Sequence, residues 1–384
     1  MSQQEDLFHR ALEEALKWFS RAGILVVESR EYTVSGRRVV DFIVDKPLEA
    51  EFFNELYKLL SEINIQVLQL KAEKPLIRLI EVDGGARVER FKLALTVASL
   101  ITIGLTGYGL SESFLYFQQQ KGAGSTLELL LLNTLAYTLL FTLVLLVHEL
   151  GHIYASRGSG VKIRGPILIP APPIQLGFIG TLGAVIFMER IPASRRDLAR
   201  IGIYGPLAGF AAATIVGLAG LALSPVIPES EALKMIESGE LSAFSVSSLA
   251  MLLILMVKGS GFIVMHPLLF ISYVMYIVTF LNLLPIGQLD GGHVARSFMD
   301  TRTHRMLGLA TIILLFATGG ILAFMGFSSS SFYISLGVVA LLLYTIVARG
   351  GHPGCANQYS EAKCIPCLVA YIALLILTAP IPVW

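Results

Sequence analysis

The sequence has few charged residues for its length. Only 15% of its 384 residues are Asp, Glu, Lys or Arg, while 54% are hydrophobic and the mean hydropathy is +0.70. Soluble domains carry about 25% charged residues. A soluble fold of this size would lack the polar surface it needs, so we interpret the apolar excess as surface that faces lipid.

Cysteine is also scarce, and the three cysteines lie close together at Cys355, Cys364 and Cys367. Such a set does not form the disulfide framework of a small secreted protein. The first 23 residues contain no apolar signal-peptide core and are acidic, unlike an organelle transit peptide, so we expect the N-terminus in the cytosol. The net charge is +1 and no nucleic-acid motif is present, so no nucleic-acid partner is expected.

Residues 1–88 predict a small cytosolic α+β domain. Apolar residues recur at helical spacing over 4–21, and a second helix is predicted over 48–61, directly after Pro47. Two strand-like runs follow each helix, which gives the order α-β-β-α-β-β. We expect residues 89–384 to form a separate transmembrane domain.

The second part of the sequence predicts a polytopic α-helical membrane protein. Its uncharged stretches of membrane-spanning or nearly spanning length are 93–110, 129–147, 201–227, 267–286, 306–327, 332–347 and 368–384. Residues 165–188 are equally apolar but contain Pro and Gly, so a lipid-facing helix there would leave backbone groups without hydrogen bonds. We interpret them as a re-entrant, β-like hairpin, and residues 241–257 as a segment that does not cross.

Basic residues indicate the orientation. Arg87, Arg90 and Lys92 precede the first predicted span, and three more basic residues follow the second. The loop over 111–127, on the opposite face, contains a single basic residue, Lys121. Because cytoplasmic loops are enriched in Lys and Arg, we expect the N-terminus and the end of the second span to face the cytoplasm of a prokaryotic cell.

The run His148-Glu149-Leu150-Gly151-His152 follows the second predicted span. Residues i and i+4 share one face of a helix, so both imidazoles can reach one metal ion. Glu149 lies beside them, where it can take a proton from a water whose pKa zinc lowers from 15.7 to about 7. The alternative is a chance match in which the histidines merely cap the span. Ionisable residues in membrane helices are expensive unless functional, which favours the metal.

Asp290 is the candidate for a third zinc ligand, since catalytic zinc sites use three protein ligands and keep one open position. It follows the predicted span over 267–286, in the run NLLPIGQLDGG. If 241–257 does not cross, the spans at 201–227 and 267–286 return Asp290 to the face that carries the histidines. The alternative is a turn residue that ends a helix before two glycines.

These two motifs, on spans and in this order, resemble the site-2 protease family of intramembrane zinc metalloproteases, peptidase family M50. The resemblance covers about residues 127–300. Within it, HPLLFISYVMYIVTFLNLLPIGQLDGGH and GTLGAVIFMERIPASRRDLARIGIYGPLAGF are most similar to the archaeal, bacterial and plant chloroplast members. No PDZ-like or CBS-like pattern, which many relatives carry, is present in the N-terminal domain.

The resemblance implies specific roles for individual residues. His148, His152 and Asp290 would bind the catalytic zinc, Glu149 would be the general base, and Asn282 would hold the substrate or its developing oxyanion. It also implies that an extended substrate pairs with the segment over 165–188. Three glycines in this segment, Gly177, Gly180 and Gly183, would let the substrate backbone approach closely. The alternative is that they only allow tight turns or helix packing.

The expected function is therefore hydrolysis of peptide bonds in or near the transmembrane segments of other membrane proteins, with those proteins and membrane lipid as partners. Two alternatives are a non-proteolytic membrane zinc protein, such as a transporter or assembly factor, and a membrane-tethered peptidase for soluble substrates. A transporter would distribute polar residues across the bilayer, whereas here the ionisable residues gather at one depth.

Two further patterns are weaker. His352, Cys355, Cys364 and Cys367 have the outer spacing of a structural zinc knuckle, but their connecting loop is short. In a cytosolic loop we expect zinc or free thiols rather than a disulfide, and we treat a second, structural zinc as the less favoured alternative. His293 closely follows Asp290 and is interpreted as a polar interface residue near the metal rather than a ligand.

Overall fold

The computed structural model describes residues 3–82, 91–122, 124–244, 246–259, 261–347 and 351–382. Helices predominate in these residues, and the strands form small sheets. The predicted boundary between residues 88 and 89 lies outside the described residues, so it remains a prediction.

The N-terminal part is a four-stranded antiparallel sheet covered by two helices, in the predicted element order. Its elements are α1 (Gln3–Arg21), β1 (Val26–Val34), β2 (Arg37–Val44), α2 (Ala50–Glu62), β3 (Ile65–Leu70) and β4 (Leu76–Glu81). The sheet order is β1-β2-β4-β3. Alternate residues of a strand face the same side, so Val40, Phe42 and Val44 all point into the core. Phe42 packs edge-on against Phe19 of α1, with ring centroids 5.3 Å apart.

The remaining residues form mainly apolar helices. The elements are α3 (Lys92–Gln120), α4 (Leu127–Ser156), β5 (Ile163–Pro170), β6 (Thr181–Met188), α5 (Arg195–Leu223), β7 (Val226–Ile227), α6 (Glu229–Glu237), β8 (Val246–Ser248), α7 (Leu249–Met256), β9 (Phe262–Ile263), α8 (Pro267–Asn282), α9 (Asp290–Phe298), α10 (Thr301–Phe324), α11 (Ser330–Val347), α12 (Ile365–Thr378) and β10 (Pro380–Pro382). Among the described residues, α3, α4, α5 and α10 are long and apolar enough to cross a membrane, and α8, α11 and α12 are shorter apolar helices. This part of the fold is built largely from helices, and several of them have the length and composition of membrane spans.

Helix α5 is central to this part of the fold because it packs against α4, α8 and α9. Its first turn is capped by Ser194, whose side chain accepts a hydrogen bond from the backbone N–H of Asp197. Further along, Ser272 of α8 donates to the carbonyl of Ala213, at 2.5 Å. Helices α4 and α8 thus both pack against α5, and the candidate metal ligands lie where these helices meet α9.

Residues 165–188 fall in an antiparallel hairpin of β5 and β6, joined through a short 3-10 turn over Ile174–Leu176. The tip of the hairpin lies against α3. There the hydroxyl of Thr102 donates to the carbonyl of Gly180, at 2.5 Å, and the side-chain amide of Gln175 donates to the carbonyl of Leu105, at 3.1 Å. The strand-like character predicted for this segment is present, and its depth in the bilayer stays a prediction.

Two helices differ from the predicted uncharged stretches at their C-terminal ends. Helix α4 continues past residue 147 to Ser156, so His148 and His152 lie on one helix, as their i and i+4 spacing required. The last span was expected to reach residue 384, but α12 ends at Thr378. The prolines that follow cannot continue a helix, and Pro380–Pro382 pairs with β8 as a strand. Helix α7 has only 8 residues, about 12 Å, which is too short to cross.

The N-terminal sheet is joined to the membrane part through the edge of β3. The backbone N–H of Gln69 donates to the carbonyl of Ala356, at 2.8 Å, and that of Gln358 donates to the carbonyl of Gln69, at 2.9 Å. Ala356 in turn donates its N–H to the carbonyl of Pro192, at 2.8 Å, just after β6. The segment 356–358, which we call the shared strand, thus links the N-terminal sheet to the residues that follow the hairpin.

Candidate metal centre

Helices α4 and α9 bring the predicted metal ligands together. His148 and His152 lie one turn apart on the same face of α4, and Asp290 is the first residue of α9. His148, Glu149 and His152 are all buried, and the side chain of Asp290 is 16% exposed. The site is therefore enclosed by protein within apolar helices.

The ligand atoms of these three side chains converge, and we call His148, His152 and Asp290 the triangle. Nε2 of His148 is 3.2 Å from Nε2 of His152 and 3.2 Å from Oδ2 of Asp290, and Nε2 of His152 is 3.4 Å from Oδ1 of Asp290. A tetrahedral zinc ion with bonds of about 2.0–2.1 Å separates its ligand atoms by about 3.3 Å. Among the described residues, this is the group of three metal-binding side chains whose ligand atoms converge.

The hydrogen bond of the His152 ring leaves its inward nitrogen free for a metal. Nδ1 of His152 lies 2.6 Å from the carbonyl oxygen of Ile201, which can only accept, so Nδ1 carries the proton. In the neutral ring, Nε2 then has a lone pair directed at the triangle. Two imidazole nitrogens and one carboxylate oxygen are the donor types of a catalytic zinc site. His148, His152 and Asp290 therefore fit zinc and would hold it.

Two glycines of α5 allow this helix to lie directly against the histidines. A Cβ atom at position 205 would lie no more than 2.5 Å from three ring atoms of His152, and one at position 209 would lie 2.9 Å from Nδ1 of His148. The sequence prediction did not assign these glycines. Their spacing in RIGIYGPLAGF, four residues apart on one helix face, was the available signal.

A cavity of about 340 Å³ opens beside the triangle. Its wall includes Glu149, Asn282 at the end of α8, and Gln288 and His293 near Asp290. Residues 184–188 of β6 also line it. The cavity thus combines the metal ligands, the expected base and one side of the hairpin.

The three glycines predicted to bind substrate occupy different places. Gly183 lies in β6 next to the residues that form the cavity wall, with φ +103° and open space where a side chain would be. Gly177 ends the turn between the strands, and Gly180 packs against the backbone of Thr102 in α3. Gly177 and Gly180 therefore shape and seat the tip of the hairpin.

The proposed knuckle around Cys355 does not assemble as a zinc site. Cys364 and Cys367 are joined in a disulfide, which removes both thiols as ligands and contradicts the expectation of metal or free thiols. Their separation of three residues at the start of α12 places the two side chains next to each other. Cys355 is buried and donates to the carbonyl of Asn357, at 3.1 Å.

Residues 136–326 match peptidase family M50. The matched residues include the buried His-His-Asp triangle, so the family match and the site define the same class, that of peptidase family M50. Residues 136–326 thus belong to this family, as the motifs around His148 and Asp290 predicted.

The chain is similar to probable zinc metalloproteases of plant chloroplasts. It is 33% identical to EGY2 of Arabidopsis thaliana, in an alignment that covers 48% of this chain and 32% of that protein. It is 28% identical to EGY1 of the same plant, over 63% of this chain and 41% of that protein. It is also 35% identical to a zinc metalloprotease of Methanocaldococcus jannaschii, over 24% of this chain and 23% of that protein. The chain thus spans less than half of the length of these curated relatives. No solved structure matches it significantly.

Proposed function

We propose that the chain is an intramembrane zinc protease that hydrolyses peptide bonds in or near the transmembrane segments of membrane proteins. One observation carries this proposal: a zinc-type triangle and a strand with an unused edge border the same cavity, within helices suited to a membrane. The strand edge can pair with an unwound substrate, and the triangle can bind the zinc that activates water for hydrolysis.

The chemistry needs a nucleophile and a proton carrier. Zinc, when bound by His148, His152 and Asp290, would supply the Lewis acidity that makes water nucleophilic at neutral pH. Glu149 is buried beside the triangle and takes one proton as the water oxygen forms a bond to the carbonyl carbon. Glu149 then returns that proton to the amide nitrogen while the C–N bond breaks. The products are a carboxyl group and an amine.

The free edge of β6 is the proposed place of substrate capture. A transmembrane helix has its peptide groups in hydrogen bonds, so a substrate must become extended before it can be attacked. Strand β6 pairs with β5 on one side, and no described strand pairs with its other side. An extended substrate can add to that edge through main-chain hydrogen bonds. Asn282 faces the same cavity and would hold the bound backbone.

The active site and the N-terminal domain would share one side of the membrane. Tyr57 of α2 donates a hydrogen bond to the carbonyl of Ile191, at 2.8 Å, just after β6. The basic residues that flank the first two spans favour the cytoplasm of a prokaryote for this side. Cysteines introduced at the exposed positions Gly158 and Ser230 should then be labelled from opposite sides of the membrane, and labelling from the same side would contradict this topology.

The decisive experiment uses the purified full chain in liposomes with a single-span substrate. Cleavage should stop with a zinc chelator and return when zinc is restored. Glu149→Gln should keep zinc but lower turnover by about 10²–10⁴, the usual contribution of a general base. Glu128→Gln, at the exposed start of the same helix, is the matched control and should cleave normally. Zinc binding without cleavage of any substrate would instead favour a non-proteolytic membrane zinc protein.

Substrate capture has a separate test. A photo-crosslinking amino acid at Phe187, in the wall of the cavity, should trap substrate in the Glu149→Gln background. The same amino acid at Leu176, which is more exposed but lies in the turn, should not. Equal trapping at both positions would argue against capture at β6.

A further inference from the structure

A cluster of three buried histidines lies next to the metal centre but outside the ligand triangle. His293 is one turn after Asp290 on α9, His304 is in the first turns of α10, and His352 is in the loop before the shared strand. His293 also borders the cavity. The proposed hydrolysis assigns no role to any of them.

The cluster is held together as hydrogen-bonded and packed rings rather than as a set of metal ligands. His304 packs edge-on against His352, with centroids 5.5 Å apart, and its buried Nε2 has no hydrogen-bond partner among the described residues. Nε2 of His352 and Nδ1 of His293 are 2.8 Å apart, the separation of a hydrogen bond. The described histidines that do converge on a metal position are His148 and His152.

The position of the proton on His352 follows from its neighbours. The backbone N–H of Gly354 donates to Nδ1 of His352, at 2.9 Å, so Nδ1 carries no proton. Burial lowers the pKa of His352 to about 2, so the ring is neutral and its proton is on Nε2. That N–H must then donate to Nδ1 of His293.

The same reasoning fixes His293. Because its Nδ1 accepts a hydrogen bond from His352, the neutral ring carries its proton on Nε2. A protonated Nε2 cannot bind a metal and cannot take a proton from water. Among the described residues, the ring nitrogens within 4 Å of the Asp290 carboxylate are those of His148 and His152. The N–H of His293 therefore does not donate to Asp290.

We propose that His293 is a catalytic hydrogen-bond donor to the carbonyl oxygen of the peptide being cleaved, and that His352 is a positioning residue that fixes its tautomer. This inference rests on the proposed function. The carbonyl oxygen gains negative charge when the water oxygen adds to the carbon, and an N–H directed at it stabilises that charge. Loss of one such donor typically costs about 10²–10³ in turnover.

The tautomer can be tested without any activity. The chain contains 7 histidines, and labelling them with ¹⁵N gives long-range ¹H–¹⁵N spectra that distinguish protonated from unprotonated ring nitrogens. The signals lost in His293→Gln identify His293. Its proton should be on Nε2 in the wild type, and His352→Leu should release it into a mixture of tautomers. A proton on Nδ1 of His293 in the wild type would overturn the inference.

Kinetics test the catalytic role. His293→Leu should lower kcat by about 10²-fold with KM nearly unchanged, while zinc content stays at the wild-type level. Gln places an N–H close to the position of Nε2, so His293→Gln should recover part of that loss. His352→Gln retains a donor to Nδ1 and should be more active than His352→Leu. Substitution of the exposed His9 by Leu is the control.

The outcomes separate the two proposals. A wild-type chain that cleaves substrate, together with His293→Leu that cleaves equally fast, refutes the role of His293 and leaves the proposed protease function intact. A wild-type chain that binds zinc but cleaves nothing refutes the proposed function and, with it, the catalytic role. Loss of zinc from His293→Leu but not from His293→Gln would show a structural role and would also overturn the inference.

Discussion

The close approach of α5 to the metal ligands leads to a prediction about Gly205→Ala. In most helices this substitution stabilises, because Ala is favoured over Gly by about 1 kcal/mol in a helix interior. Here a new methyl group would lie no more than 2.5 Å from three atoms of the His152 ring. Carbon atoms in contact are about 3.5 Å apart, so the ring must move by roughly 1 Å.

A shift of that size is incompatible with the metal site. Metal–ligand distances tolerate about ±0.2 Å, so a displacement of roughly 1 Å removes Nε2 of His152 from coordination. It also breaks the hydrogen bond from Nδ1 to the carbonyl of Ile201, at 2.6 Å. Overpacking adds a cost of about 1–3 kcal/mol, which the gain in helix propensity only partly offsets. We expect a folded protein that has lost most of its zinc and all measurable cleavage.

The assay compares zinc per chain and thermal unfolding of the purified variant in detergent. Gly320→Ala is the matched control, since Gly320 lies in the apolar helix α10 and has nothing within 4 Å of the added Cβ. This control should keep its zinc and unfold at the same temperature as the wild type or slightly above. If Gly205→Ala binds as much zinc as Gly320→Ala, the inferred contact between α5 and His152 is wrong.

Three further predictions follow from other parts of the structure. Asp290→Ala removes one of the three ligands and should lower zinc affinity severely. The measurement is the zinc content of the dialysed protein, and a zinc content equal to that of the wild type would contradict the assignment. The double variant Cys364→Ser and Cys367→Ser should still bind one zinc per chain, and a fall in zinc content would restore the knuckle interpretation. Gln69→Leu should destabilise the protein by about 2–5 kcal/mol, because it removes the side-chain partner of the buried N–H and carbonyl of Leu48 and one of the two hydrogen bonds to Oδ1 of Asn357. Gln358→Leu, at a more open site, should cost less than half of that in thermal unfolding, and equal losses would argue against the buried network.

The sequence predicts best what depends on local spacing. The i and i+4 placement of His148 and His152 follows from the helical repeat, and it is enough to bring both rings to one point. The alternating and helical patterns of the first 82 residues likewise predict the order of six elements. These features do not require knowledge of which parts of the chain are neighbours.

What the sequence could not predict depends on distant contacts. Nothing local to Gln69 indicates that its backbone pairs with the shared strand, 288 residues further along. Nothing near His352 indicates that its ring meets His293, 59 residues away. Glycines in membrane helices allow many different helix–helix contacts, so the contact between Gly205 and the His152 ring could not be predicted before α4 and α5 were placed side by side.

The shared strand also has a consequence for the order in which the protein is made. Gln69 leaves the ribosome 288 residues before Asn357, which at about 5–20 residues per second is a delay of roughly 15–60 s. During that interval the edge of β3 has no partner, and His352 is not yet available to hold His293. For the last 59 of those residues a nascent chain already carries its zinc ligands while the tautomer of His293 is not yet fixed, so the enzyme is expected to cleave more slowly beside other newly inserted membrane proteins. Ribosome-arrested chains that end before residue 351 should show β3 open to added protease, and chains extended beyond residue 358 should show it protected.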